Sequence, residues 1–138
     1  MALLKHADVT DQIHKAFYAV YNELGYGFNE KVYENALVVE LTRLGLKAVP
    51  QREILVYFRG HEVGKYIADV VVNDCVICEL KSVSDISDEH LAQLLNYLKA
   101  THYEVGLLLN FGKEPKTKRK SYDNDRKGSL SWTRRTTP

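Results

Sequence analysis

The spacing of apolar residues changes once along this chain, and the change limits the folds that the chain can adopt. From Ile13 to Leu24, apolar residues recur at every third or fourth position, which is the spacing of one face of an α-helix. A second helix is predicted from Asn29, a favourable N-cap, to Gly45, a residue type that often follows a helix C-terminus. From Pro50 onward the apolar period is two, as in a β-strand. Two helices are therefore expected before a sheet.

Three strands are predicted between Pro50 and Val83. Turn-forming residues at positions 59–61 and 73–74 separate them, so the three strands should pair as an antiparallel meander.

A third helix and a fourth strand are predicted next. Ser87 is a good cap for the helix, and the continuous apolar run Val105–Leu109 is typical of a buried central strand. From Phe111 we expect irregular structure, with a short final strand near 130–132. The order α-α-β-β-β-α-β indicates an α/β fold in which helices flank a central mixed β-sheet.

Length and composition fit one globular domain. Of the 138 residues, 45% are hydrophobic and 27% are charged, and no apolar run reaches the roughly 18 residues of a membrane span. The N-terminus has too little apolar sequence for a signal peptide, so we expect a cytoplasmic protein with no membrane partner. Cys75 and Cys78 lie in a Val/Ile run and are expected to be buried or half-buried. The alternative is a metal-binding or redox C-x-x-C pair.

The net charge of +1 conceals a strong asymmetry. From Lys113 to the C-terminus there are nine Lys and Arg residues against three acids, whereas the preceding residues carry an acidic excess. We therefore expect residues 1–112 to form the main domain and 113–138 to form a basic tail that packs on it or extends from it. The tail is predicted to bind a polyanion, or alternatively to be solvated without a specific role. The residues predicted to contact nucleic-acid phosphates are Lys113, Lys116, Lys118, Arg119 and Lys120.

Asp69, Glu79 and Lys81 bracket an almost wholly apolar stretch. A hairpin with a short connection around Asp74 would place Asp69 opposite Glu79, with the side chains about 5 Å apart. Two carboxylates this close repel each other unless one is protonated or a cation lies between them, and oxygen ligands suit Mg²⁺ or Mn²⁺. Lys81 could then orient the attacking water and neutralise charge in a phosphoryl transition state. The alternative is a surface ion pair on a solvated sheet face.

Two further groups of residues are candidates for the same site. Gln93 and Tyr97 are four apart on the third helix, with His90 on the same side, and could contact a metal-bound water or a phosphate. They could equally be the boundary of a half-buried helix. Glu30 is free to point away from the core, or is simply a favourable acid in a first helical turn.

Several spaced motifs together resemble a known family. The residues are Gly27-x-x-Glu30-x-x-Tyr33, then Asp69, then Glu79-Leu80-Lys81, then Gln93-x-x-x-Tyr97, then 106–112. This series, within about residues 8–120, is similar to that of the GxxExxY family, which is placed in the PD-(D/E)XK nuclease superfamily.

The resemblance implies a role for each matching residue. Asp69 and Glu79 would be metal ligands together with the Leu80 carbonyl, Glu30 would be the extra acid, and Lys81 would be the catalytic lysine. The resemblance also implies a mixed sheet of about four strands. Gln93 and Tyr97 would correspond to the Q-x-x-x-Y element of RecB-like members, whereas Ala68 departs from the proline that often precedes the aspartate.

The function predicted from these features is a Mg²⁺- or Mn²⁺-dependent nuclease that hydrolyses phosphodiester bonds of DNA or RNA, with DNA favoured. One alternative is a nucleic-acid-binding module that keeps the fold without cleaving. Another is a protein-interaction subunit in which Tyr103 and Trp132 would be exposed contact residues. A homodimer is expected, since small members of this fold often need a second subunit to span a duplex.

Overall fold

The computed structural model describes residues 4–127. The predicted order of elements is confirmed, with one more strand at the end. The helices are α1 (Ala7–Leu24), α2 (Glu30–Arg43) and α3 (Asp88–Ala100), the strands are β1 (Ala48–Phe58), β2 (His61–Val72), β3 (Val76–Lys81), β4 (Val105–Phe111) and β5 (Pro115–Ser121), and a short 3₁₀ helix covers Asn124–Arg126.

The five strands form one sheet in the order β1-β2-β3-β4-β5. β3 and β4 are parallel and are connected through α3, while the other neighbouring strands are antiparallel. This is the α/β fold with a mixed sheet that the sequence predicts, although the sheet has five strands where about four were expected.

The expectation of irregular structure after Phe111 was wrong. Residues Pro115–Ser121 form β5, which pairs with the whole of β4. An edge strand has one solvent-exposed side and tolerates many lysines. β5 therefore lacks the apolar pattern by which a strand is predicted from sequence. The predicted strand near 130–132 lies outside the described residues.

Helices cover both faces of the sheet. α1 and α2 pack on the face that carries Val70, Cys78 and Leu107, which we call the α1/α2 face. α3 packs on the opposite face, which carries Ile77 and Leu108 and which we call the α3 face. Within the described residues, no helix is both long enough and apolar enough to cross a membrane.

The N-termini of α2 and α3 carry the predicted caps, Asn29 and Ser87. The Asn29 side chain accepts a hydrogen bond from the Val32 N–H at 3.1 Å, and the Ser87 side chain accepts one from His90 at 3.2 Å. α1 differs, because it begins at Ala7 after a left-handed His6 with no side-chain cap. The predicted burial of the cysteines is confirmed: Cys78 is buried and Cys75 is half-buried, and both are free thiols.

Candidate active site

A fork between two strands forms the centre of the site. β2 and β3 are paired through only three positions, Val70–Val72 with Val76–Cys78. Beyond them β2 stays paired with β1, and β3 stays paired with β4. Asp69 and Glu79 are the first residues past this ladder, so they lie where the two strands separate.

The two carboxylates are adjacent in this fork. The Asp69 N–H donates a hydrogen bond to Glu79 Oε2 at 2.8 Å, and the Leu80 N–H donates one to Asp69 Oδ2 at 2.8 Å. Side-chain oxygens thus satisfy backbone groups that ladder carbonyls would otherwise satisfy. Each carboxylate accepts a hydrogen bond on one of its two oxygens. Within residues 4–127, no donor is hydrogen-bonded to the second oxygen of either carboxylate.

Burial and proximity disfavour two negative charges at this point. Burial, followed by the charge of Asp69, raises the pKa of Glu79 to about 8. Burial also raises the pKa of Asp69, and the charges of Glu34 and Glu30 act in the same direction. Without a cation, the pair therefore retains a proton well above the ordinary pH range of carboxylic acids.

Acidic residues of α2 extend this site. A cavity of about 180 Å³ is bounded by Glu30, Lys31, Glu34, Gln51, Asp69 and Leu80. Glu30 is exposed at its mouth, while Glu34 is buried.

The position of Glu30 depends on Tyr33 of the same motif. The Tyr33 hydroxyl donates to the Gly25 carbonyl at 2.6 Å and accepts from the Phe28 N–H at 3.3 Å. Its ring stacks on Phe111, with centroids 4.4 Å apart. The motif thus closes the loop before α2 onto the core and fixes the first turn, which carries Glu30.

Glu34 and Gln51 were not among the candidates that the sequence predicted. Glu34 Oε1 accepts from Gln51 Nε2 at 2.5 Å, and Glu34 Oε2 accepts from Lys31 Nζ at 2.6 Å. One signal was available, because Glu34 follows Glu30 by four residues and so shares its side of α2. Nothing in the sequence pairs Gln51 with Glu34.

The lysine of the motif lies on the α3 face of the sheet. Lys81 alternates with Glu79 and Ile77 along β3, so the three side chains point the same way. It is half-buried, and its charge partly offsets the rise that burial causes in the pKa of both Asp69 and Glu79. A cationic donor therefore accompanies the two carboxylates.

Comparison with known families decides the identity of this domain. A family model described as PD-(D/E)XK nuclease superfamily matches residues 7–122. The chain belongs to the PD-(D/E)XK nuclease superfamily. Searches of curated proteins and of solved structures found no match. The match covers every element from α1 to β5, so the fork is part of a nuclease-type domain.

The three candidate residues on α3 of this PD-(D/E)XK domain differ in their burial and in their contacts. Tyr97 is buried, and burial followed by the charges of Glu79 and Asp69 raises its pKa to about 12. Gln93 is exposed one turn earlier, and both line a separate cavity of about 500 Å³. His90 instead forms a capping box, in which its Nδ1 accepts from the Ser87 N–H at 3.0 Å.

The basic residues predicted to bind phosphates do not form one surface. Lys113 is exposed in the turn before β5. Arg119 lies opposite Leu107 on the α1/α2 face, where its Nη2 donates to the Lys5 carbonyl at 2.8 Å. Three lysines lie on the α3 face, which Glu79 and Lys81 share: Lys116, Lys118 and Lys120, opposite Asn110, Leu108 and Gly106.

The aromatic surface expected for a protein-interaction subunit is not present at Tyr103. This residue is only 4% exposed, and its hydroxyl donates to Asp74 at 3.1 Å. Trp132 lies outside the described residues.

Within residues 4–127, no three Asp, Glu, His or Cys side chains are close enough to enclose a metal ion. This arrangement still suits a hard divalent cation, because Mg²⁺ keeps several waters and is usually held by one or two carboxylates. The free oxygens and raised pKa values of Asp69 and Glu79 are features that such a cation would relieve.

Proposed function

We propose that this protein is a metal-dependent nuclease that hydrolyses phosphodiester bonds of DNA or RNA, with DNA the favoured substrate. One observation supports this most strongly. Asp69 and Glu79 lie together in the β2–β3 fork beside Lys81, where burial disfavours the ionised form of both carboxyl groups. Two adjacent buried carboxylates destabilise a fold unless a bound cation compensates their negative charge.

Asp69 and Glu79 would hold one Mg²⁺ or Mn²⁺ ion together with the Leu80 carbonyl, and Glu30 would contribute from the mouth of the cavity. Such an ion, when bound, would supply Lewis-acid polarisation of the phosphodiester oxygen. Binding needs both carboxylates ionised, so Glu79 would release its proton to solvent. Glu34 would add negative charge behind the pair, held in place by Gln51.

Lys81 would act on the phosphate itself. Its ammonium group would donate hydrogen bonds to a non-bridging oxygen and stabilise the charge that grows there in the transition state. Tyr97 and Gln93 would contact the substrate on the α3 side of the fork. Lys116, Lys118 and Lys120 would bind the phosphate backbone without reading its sequence.

A cleavage assay tests this function. Parent, Asp69→Asn and Lys81→Met proteins are incubated at low salt with Mg²⁺ or Mn²⁺ and with single-stranded, duplex and branched DNA and RNA. We expect cleavage by the parent and a loss of at least about 100-fold in both variants. Asp11→Asn and Lys15→Met, at exposed positions of α1, are the matched controls and should cleave like the parent.

Calorimetric titration with Mn²⁺ separates the roles of the two residues. Asp69→Asn should lose binding of the ion, while Lys81→Met should keep it. A parent that binds Mn²⁺ and nucleic acid but cleaves nothing would replace the nuclease with a non-cleaving binding module. Equal cleavage by parent and Asp69→Asn would contradict the proposed site.

A further inference from the structure

A second cavity adjoins the fork on the α3 face. It has a volume of about 500 Å³ and lies between α3 and the β1–β2 hairpin. Tyr97 connects the two places, because it lines this cavity and is also near enough to Glu79 and Asp69 to be affected by their charges. A ligand in this cavity would therefore contact Tyr97, the residue that the cavity shares with the surroundings of the acidic pair.

Aromatic and apolar groups form the inner wall. The Tyr66 and Tyr97 rings are 5.5 Å apart between centroids and are tilted by 46°. Tyr97 is buried, whereas Tyr66 is 47% exposed although it lies within a strand. Val56 of the neighbouring strand borders the same space. One ring is thus backed by another and is accessible from solvent, as stacking platforms for bases are.

The rim is polar and carries no net formal charge. Gln93 and Asn96 are exposed on α3, and each amide both donates and accepts hydrogen bonds. Glu89 and Lys99 also line the cavity, and their charges cancel. A phosphate has no reason to prefer this rim over the lysines of β5, whereas a neutral ring with donors and acceptors at its edge fits it.

We propose that this cavity receives one unpaired nucleobase of the cleaved strand, stacked on Tyr66, so that the enzyme acts on single-stranded nucleic acid or on the unpaired part of a branched one. The proposal rests on the proposed nuclease function and adds the substrate class. In a duplex the bases are stacked and paired, so a base reaches this cavity only after it has unstacked and unpaired, which costs free energy that a single strand does not pay.

A binding experiment without metal ions tests this inference separately from cleavage. Fluorescence anisotropy at low salt measures the affinity for a short single strand and for the blunt duplex of the same sequence. The proteins are the parent, Tyr66→Ala, Tyr66→Phe and Tyr18→Ala. Tyr18 is the matched control, because it is 42% exposed on α1, which packs on the other face.

We expect the parent to prefer the single strand and Tyr66→Ala to bind it roughly 5- to 100-fold more weakly. Tyr66→Phe and Tyr18→Ala should bind like the parent, since stacking needs the ring of Tyr66 and not its hydroxyl. An abasic nucleotide, moved along the strand, should weaken binding to the parent at one position and have no further effect there in Tyr66→Ala.

Equal single-strand affinity of Tyr66→Ala and the parent would overturn the inference, as would equal abasic effects in both proteins. Neither result affects the nuclease proposal, which depends on cleavage by the parent and its loss in Asp69→Asn.

Discussion

At the scale of single residues, Gln51 combines a costly backbone conformation with a hydrogen bond to a buried carboxylate. Its φ of +57° is uncommon for a residue other than glycine. Its amide donates a hydrogen bond to Glu34, as does the Lys31 ammonium group. Gln51 lies on β1 between partners of Val70 and Ala68, and so faces Asp69 across the two strands. We infer that the strain is tolerated because it holds the amide on Glu34.

Substitution of Gln51 separates these two contributions. Gln51→Ala should lower the free energy of unfolding by about 1–3 kcal/mol, because a buried Glu34 oxygen loses its partner. Gln51→Gly loses the same amide but adopts a positive φ more easily, so it should be about 1 kcal/mol more stable than Gln51→Ala. Urea denaturation measures both. If Gln51→Gly is the less stable of the two, the left-handed backbone is not the source of the cost.

The raised pKa of Glu79 makes stability depend on pH. In the folded protein this pKa is about 8, above its ordinary value of 4.5. The protonated group therefore contributes stability that is complete below about pH 4.5 and is lost as the pH rises through 8. We expect the unfolding free energy of the metal-free protein to fall by the order of 3 kcal/mol between pH 5 and pH 8.

Chemical denaturation at a series of pH values, with a chelator present, measures this dependence. Glu79→Gln does not titrate in that interval and should show a much flatter profile, which makes it the control. Added Mg²⁺ should restore stability to the parent mainly at the alkaline end, where the carboxylate is available. A parent profile as flat as that of Glu79→Gln would mean that Glu79 is already ionised at pH 5.

The sequence predicted the candidate site residues that belong to a local pattern. Asp69, Glu79 and Lys81 could be found because they bracket an apolar run whose strand pairing follows from its short connection. Glu34 and Gln51 could not, since their contact joins α2 to β1 through a local reversal of φ at Gln51. A hydrogen bond between distant elements has no periodic signature in the chain.

At the scale of elements, glycines control how closely β4 approaches its neighbours. A Cβ on Gly106 would lie 2.7 Å from Leu94 Cδ1 of α3. A Cβ on Gly112 would overlap the Val83 carbonyl oxygen, which accepts a hydrogen bond from Asn110 Nδ2 at 2.9 Å. The first conflict involves the end of a side chain, whereas the second involves backbone that cannot move independently.

Alanine substitutions should therefore be graded in their effects. Gly106→Ala should lower the unfolding free energy by about 1–3 kcal/mol, because Leu94 must shift. Gly112→Ala should cost more than about 3 kcal/mol and reduce cleavage, since the Asn110 contacts to Val83 hold the chain just beyond Lys81. Gly64→Ala is the control: its nearest contact would be 3.7 Å, so stability should be unchanged or slightly higher. Thermal unfolding and cleavage rates check the series.

The elements were predicted where hydrophobic periodicity is strong and missed where it is weak. β4 is a continuous apolar run and was found, whereas β5 alternates lysines with half-buried residues and was not. Its place is set by pairing with β4 and by the segment that follows. There the Lys127 ammonium donates to the Thr101 and Tyr103 carbonyls just after α3, at 2.6 and 2.7 Å. Such long-range pairing leaves no local pattern.

At the scale of the whole molecule, the fold places the residues of one basic segment on different surfaces of the protein. The sequence predicts one phosphate-binding segment at residues 113–120. Strand alternation instead sends Arg119 to the α1/α2 face and leaves Lys116, Lys118 and Lys120 on the α3 face. Asn110 is the register partner of Lys81 on one side and of Lys116 on the other, so the three residues lie in a row across adjacent strands. The lysines of β5 therefore extend across the sheet from the proposed site. The number of basic residues predicts that a polyanion binds, whereas only the sheet register predicts which surface of the protein it crosses.

The salt dependence of binding tests that path. Lys116→Gln with Lys118→Gln removes two exposed charges from the α3 face, and Lys15→Gln with Lys47→Gln removes two exposed charges from α1 and the α2–β1 connection. The two double variants have the same net charge, so any difference between them reports position. Affinity for a single strand, measured against salt concentration, gives a slope proportional to the number of neutralised phosphates.

We expect the slope to fall by about 1.4 in the β5 double variant, since each phosphate contact on a single strand contributes about 0.7. The α1 and α2–β1 double variant should keep the slope of the parent. Equal slopes in both variants would mean that net charge alone attracts the nucleic acid. A fall only in the second variant would place the strand on the α1/α2 face, away from Lys81, and would contradict the proposed path across the α3 face.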